Sequence, residues 1–434
     1  MKISSKYLLA LGILMSSSLY SQETLRLSSE EAVRKGIEHN KNISIGLSKQ
    51  RSAKAKVEES NAGGLPSLKF LGTYTRLSEI EPFKINGFSI APAINNNYNL
   101  RLSLAQPIYA GNRISSSIEM NESLYDATAQ DLENTKTTLA SDIKNAYWSY
   151  YKAQKSKEAL LNNIAQVKAH LSDIQNFYNA GLAIENEVLK VKVQLSNLEL
   201  SRIELDNSID IAAIGLCNLL GISLDTKIET TDNPDMIADD RLDASKAKEL
   251  AIQARPDLKA MDQRIKAANK AIEIAKSGWF PQINFAANYT YANPNQRIMP
   301  SKEEFKGTWD LGLSLSYNIW DWQTTSLQAE QAQESLKQSE YSKSLMIDGL
   351  ELEVKQSVLI YNRSFEKLTA SKFALEQAKE NLRVTNDRFK AGAAISSDLL
   401  DAENALLQSE INLISAQCDY QIALAKYNKA IGKI

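Results

Sequence analysis

Residues 113–178 read RISSSIEMNESLYDATAQDLENTKTTLASDIKNAYWSYYKAQKSKEALLNNIAQVKAHLSDIQNFY, with no proline and no glycine. Ile118, Tyr125, Leu132, Leu139, Ala146, Ala153, Leu160, Val167 and Ile174 recur at a strict step of seven. A second line, Ile143, Tyr150, Ile164, Leu171 and Tyr178, runs beside it and is broken by Lys157. A sustained seven-residue step under-winds helices and packs them as in a coiled coil. A helix over 112–178 is about 100 Å long at 1.5 Å per residue. At Ala180-Gly181 a turn reverses the chain into another long helix that ends at Gly221. Such a hairpin is far longer than a compact domain needs.

The pattern returns. Ile347, Val354, Tyr361, Leu368, Leu375, Leu382 and Phe389 repeat the step, Ala391-Gly392 reverses it, and the last helix ends near Gly432. From 100 to 221 the chain matches itself without gaps at a shift of 211, including Lys144/Lys355, Tyr150/Tyr361, Gly181/Gly392 and Leu189/Leu400. From 27 to 74 the shift is 215, with Ala32/Ala247, Gly63/Gly278, Pro66/Pro281 and Tyr74/Tyr289. The length change is confined to one loop. The chain is one unit written twice, 22–221 and 242–434, joined by an inter-repeat segment 222–241 that reads as a solvated acidic linker (Asp225, Asp232, Asp235, Asp239 and Asp240).

Each unit opens with a short helix, 29–38 and 244–254, and a longer one, 43–61 and 258–276. After Pro66 and Pro281 the period drops to two. Strands are expected over 67–77, 98–108, 282–291 and 309–319. Leu100, Leu102 and Leu104 alternate with Arg101 and Ser103; Leu311, Leu313 and Leu315 alternate with Gly312 and Ser314. Strands of about ten residues, apolar on one face and polar on the other, have the length and dyad of membrane β-strands. Trp279, Trp309, Trp320 and Trp322, with Phe280, Tyr98 and Tyr109, lie at their ends, as interfacial girdles would place them. A half-buried sheet in a soluble sandwich fits the strands equally well; the long helical hairpins decide for the membrane reading.

Composition narrows the rest. In 434 residues, 50 Lys and Arg balance 52 Asp and Glu, so there is no basic excess for a nucleic acid. Lys2 and Lys6, an apolar run over 7–15 and small polar residues over 16–21 form a secretory signal peptide, 1–21. No cysteine sits at that junction, so a lipid anchor is not expected. Cys217 and Cys418 fall ten positions apart in the repeat register, about 15 Å along a helix, which points to two free buried thiols. His39 and His170 have no ligand-spaced Cys, Asp or Glu, so no metal or other cofactor is expected. No phosphate loop, nucleophile elbow or HExxH pattern supports an enzyme.

Four strands per chain leave two open sheet edges, which lipid does not tolerate. Several copies must therefore share one barrel; two would give eight strands, three twelve, and the pattern alone does not choose. The helices hang from the strand ends through Pro66, Pro107 and Pro281, away from the loops 77–97 and 292–308.

The sequence resembles the TolC-type outer membrane efflux proteins across nearly the whole mature chain. The resemblance lies in LAQPIYAGNR at 104–113, PSLKF and PQINF after the first helices, FYNAG and RFKAG before each turn, DLLDAENALLQSE at 398–410 and the closing YNKAIG. It implies a membrane α+β fold: a trimeric, 12-stranded transmembrane barrel continued by a long periplasmic helical barrel. It implies a passive exit duct in the outer membrane lipid, a homotrimer docked to a periplasmic adaptor and an inner membrane transporter.

The resemblance also assigns residues. Asp398 and Asp401 match the two acidic residues that ring the periplasmic aperture in the best-known relative, and Glu187 occupies the matching place of the first repeat. A solvated first helical turn accounts for such acids as well. Phe389 and Ala394 stand where that relative has a gating Tyr and Arg, so apolar packing around Phe389, rather than ion pairs, is expected to hold the tip. Gly181, Leu182, Gly392 and Ala393 form the turns assigned to adaptor contact. Efflux of small molecules, secretion of proteins through a type I system, and a soluble periplasmic coiled-coil scaffold or chaperone with a β cap stay open at this stage.

Overall fold

The computed structural model describes residues 24–79, 84–85, 88–89, 94–234 and 241–433. The expected signal peptide 1–21, and Asp235, Asp239 and Asp240, lie outside them. The order is β1 (Leu25–Leu27), α1 (Ser29–His39), α2 (Lys41–Ala62), β2 (Ser67–Arg76), β3 (Lys84–Ile85), β4 (Phe88–Ser89) and β5 (Asn96–Tyr109). Then come α3 (Arg113–Asn179), α4 (Glu185–Leu220), β6 (Ile228–Thr230), α5 (Ala244–Ala254), α6 (Pro256–Lys276), β7 (Gln282–Asn293), β8 (Lys306–Ser316), α7 (Thr324–Lys390) and α8 (Ser396–Ala430). Among the described residues no helix is long and apolar enough to cross a membrane.

The duplication holds element by element. Both α3 and α7 have 67 residues. The left-handed residues also pair across the repeats: Gly111 with Trp322, Asn112 with Gln323, Gly181 with Gly392 and Gly221 with Gly432. Gly221 and Gly432 end α4 and α8 directly against the backbone of His39 and Arg255, at the C termini of α1 and α5.

Strands β2-β5-β7-β8 form one antiparallel sheet in that order, with β2 and β8 as free edges among the described residues. Its register puts the apolar residues on a single face: Phe70 opposite Leu102, Leu102 opposite Tyr289, Tyr289 opposite Trp309, and Phe285 opposite Leu313. Apart from the half-buried Phe285 these side chains are exposed, Trp309 at 70% and Leu313 at 71%. A face so apolar and so bare belongs against lipid. All four helical connections leave from one end of the sheet, whereas the loops after β2 and β7 lie at the other.

Three expectations are corrected. The last strand covers 306–316 rather than 309–319, because β7 begins after Pro281 and Gln282 pairs with Ser316, leaving Tyr317 and Ile319 no strand to pair with. Pro107 is not a hinge at a strand end but lies inside β5, where the register shifts; a residue without an N–H is tolerated at such a bulge. The segment 222–241 is not merely a linker: it supplies β6, which pairs in parallel with β1. There Tyr147 donates to Leu27 O at 3.0 Å and Tyr150 to Ile228 O at 2.8 Å. Asp232 accepts from Ser29 N at 2.6 Å, satisfying a free donor at the start of α1.

The heptad lines are the core. Leu132, Leu139, Leu160, Val167 and Ile174 of α3 are buried, as are Val354, Tyr361, Leu368 and Phe389 of α7. Cys217 and Cys418 are free, buried thiols in one apolar cluster. Burial raises both, and pushes Cys418 up to about 12.

Candidate functional site

The helical end opposite the sheet carries the residues singled out by sequence. Each hairpin turns on a left-handed glycine, Gly181 at φ +74° and Gly392 at φ +69°. Leu182 N donates to Phe177 O at 2.8 Å and Ala393 N to Arg388 O at 2.8 Å, while Gly181 N reaches Tyr178 O and Gly392 N reaches Phe389 O. This paired bonding closes the helix C terminus and leaves the next residue outside it. Leu182 is 77% exposed, and Gly181, Gly392 and Ala393 are exposed with it. A Cβ on either glycine would meet nothing within 4 Å, so the turns present open backbone.

Asp398 lies in the first turn of α8, and Asp401 one turn on; both are exposed, while Leu399 and Leu400 between them are buried. Neither aspartate has an ion pair among the described residues. Asp401 and Lys190 line one groove between α4 and α8, where Gln194 donates to Asn404 at 2.6 Å. Glu187 is half-buried in the first turn of α4. Phe389 is buried against Phe177, with ring centroids 5.6 Å apart, and Ala394 packs against the same apolar cluster.

Behind Phe389 lies a polar cluster that the sequence reading missed. His170 packs edge-on to the Phe389 ring, centroids 5.2 Å apart. Its Nδ1 faces Glu403 Oε2 at 3.2 Å and its Nε2 faces Ser396 Oγ at 3.0 Å. Asn163 donates to Glu403 O at 3.2 Å. All four residues are buried. A seven-residue step contains them: Ser156, Asn163, His170 and Phe177 on α3, and Ser396, Glu403 and Glu410 on α8. The signal lies in polar residues, which an apolar periodicity does not pick out. Further along that seam burial raises the Glu410 carboxyl, with Lys379 acting against it.

Among the described residues no group of three His, Cys, Asp or Glu could hold a metal ion. The arrangement offers a wall, a turn and a charged rim rather than a reacting pair.

A lipid-facing sheet with open edges, continued by helical hairpins about 100 Å long, defines a wall element of a membrane duct. Residues 33–222 and 248–433 match the family model for outer membrane efflux proteins. The chain belongs to that family, one of outer membrane channels rather than enzymes. It is 20% identical over 410 residues to the probable efflux pump outer membrane protein TtgC of Pseudomonas putida, covering 93% of this chain and 82% of that one. It is 21% identical over 334 residues to the toxin and drug export protein A of Aggregatibacter actinomycetemcomitans, covering 73% and 70%. The solved outer membrane protein VceC of Vibrio cholerae superposes with a TM-score of 0.78 at 16% identity, covering 93% of this chain and 96% of that one. The fold is therefore that of the trimeric outer membrane channels, as the sequence led us to expect.

Proposed function

We propose that three copies of this chain form a passive duct that carries small molecules out of the cell as the outer membrane component of a tripartite pump. The observation that carries this reading is the sheet: its apolar face is bare and both its edges are unpaired. Lipid against that face and a neighbouring copy at each edge satisfy both demands, and three copies make a twelve-stranded wall wide enough for a lumen. The signal peptide brings the chain across the inner membrane, the sheet inserts in the outer membrane, and the hairpins reach into the periplasm. The relatives named for efflux pumps and drug export favour small molecules as cargo.

In this reading Asp398 and Asp401, tripled by symmetry, give the periplasmic aperture a ring of carboxylates that favours cations. Glu187 adds to it, Phe389 packs the closed tip, and the turns at Gly181-Leu182 and Gly392-Ala393 dock a periplasmic adaptor, which in turn holds the inner membrane transporter. Expression of the full chain, separation of the membranes and electrophoresis with and without heating test the proposal. The expected result is an outer membrane trimer that heat dissociates, together with greater sensitivity to toxic compounds when the gene is deleted. A monomer in detergent that retains its β-content overturns it. In planar bilayers, Asp398→Asn with Asp401→Asn should move the permeability ratio away from cations.

A further inference from the structure

The lumen side of the sheet is not evenly polar. On the face opposite the lipid-facing residues, register places Arg101 between Leu71 on β2 and Thr290 on β7, with Thr308 of β8 opposite Thr290. The loop after β7 folds back onto this face. Asn295 donates to Lys306 O at 2.9 Å and to Thr308 Oγ1 at 3.2 Å, and its own Oδ1 accepts from Arg297 N at 3.0 Å. That brings the Arg297 side chain over the strands, where it donates to Asp310 Oδ1 at 2.6 Å and to Trp309 O at 3.1 Å.

Two guanidinium groups therefore stand by one carboxylate, each of whose oxygens already accepts a hydrogen bond from another residue. Arg297 takes one oxygen of Asp310 and Asn288 Nδ2 takes the other at 2.8 Å. Among the described residues Arg101 has no ion pair, and it is exposed. Arg101, Arg297, Asn99, Thr73, Thr290 and Thr308 line one concave site at the loop end of the sheet. Asn99 Oδ1 is buried there without a hydrogen-bond partner among the described residues. Lys69, one row nearer the helices, adds a further cation on the same face.

We infer that this recess binds small oxyanions, the carboxylate or phosphate groups of solutes passing through the outer end of the duct. A planar guanidinium whose donors are free, as that of Arg101, matches two oxygens of such a group at once. The threonine hydroxyls complete the donors, and the unpaired Asn99 oxygen accepts from a hydroxyl on the bound solute. Tripled around the lumen, Arg101 forms a cationic ring. It is opposite in sign to the carboxylates at the periplasmic tip. The duct then has a polarity along its length, and an anion meets its favourable site last, next to the exit.

The inference rests on the three-copy barrel, and the test separates the two. Purified trimer is incorporated into planar bilayers in potassium chloride without divalent ions, and inorganic pyrophosphate is added to one side at a time. Block is expected from the barrel side at concentrations that do nothing from the helical side. Arg101→Gln should raise the half-blocking concentration about tenfold, the range of one charge-assisted hydrogen-bonding group. Arg101→Lys, which keeps the charge and loses the fork, should fall between. Channels that conduct but are not blocked, or are blocked equally with Gln at 101, overturn the site alone. A wild-type protein that forms no channel overturns the duct and this site with it.

Discussion

His170 and Glu403, 233 positions apart in the chain, face each other at 3.2 Å inside the helical tip, with Ser396 on the other ring nitrogen of the histidine. Burying a carboxylate is tolerable only with partners, and removing one partner strands the other. His170→Leu should therefore destabilise the helical region by about 3 kcal/mol. Replacing both residues with leucine should recover part of the loss, since an apolar pair of similar volume leaves no buried charge and only the Ser396 hydroxyl loses its partner. Thermal unfolding followed by helical circular dichroism checks both. A single variant as stable as wild type would remove the pair from the account of the tip.

Phe389 rests on this cluster and on Phe177. Truncating a buried Phe to Ala costs about 3–5 kcal/mol and leaves a cavity. Because the neighbouring Ala394 offers no polar group to hold the tip shut, Phe389→Ala should raise the conductance of the isolated protein in planar bilayers. Unchanged conductance would shift the closing role to other contacts.

Glycines at equal φ should respond differently. At Gly221 a Cβ would lie 2.7 Å from His39 O, and at Gly432 2.9 Å from Arg255 N. There Ala adds overlap to left-handed strain, and each substitution should cost about 2 kcal/mol or more of stability. At Gly181 and Gly392 only the strain applies, about 1 kcal/mol. A bulky residue at Gly181 should therefore leave trimers intact while abolishing export, measured as accumulation of a fluorescent substrate. Loss of the trimer would mean that the turn is structural only.

At the start of α6, Asp257 is held by Arg255, with Oδ2 2.7 Å from the guanidinium. Burial opposes its charge, but Arg255 and the Leu258 N–H outweigh that and hold the carboxyl below the usual range. A carboxyl lowered in the folded state stabilises fully above its unfolded value, near 3.8, and loses that contribution as pH falls through the folded one. Asp257→Asn should lower stability at neutral pH and flatten the acid limb below about pH 4. A parallel acid limb in the variant would assign the loss to other carboxylates.

The sequence by itself determined the repeat, the long hairpins, the strand alternation and the insufficiency of one chain, because each is written in local period or in length. A step of seven, a step of two and a glycine after a helix need no partner to be recognised. The tertiary structure decided what depends on distant residues meeting. It set the register that trims the last strand to Ser316, drew the inter-repeat segment into a pair with Leu25–Leu27, and folded Arg297 onto Asp310. It also set His170 against Glu403, since a buried polar contact is stable only when both members arrive together, and neither marks the other along the chain.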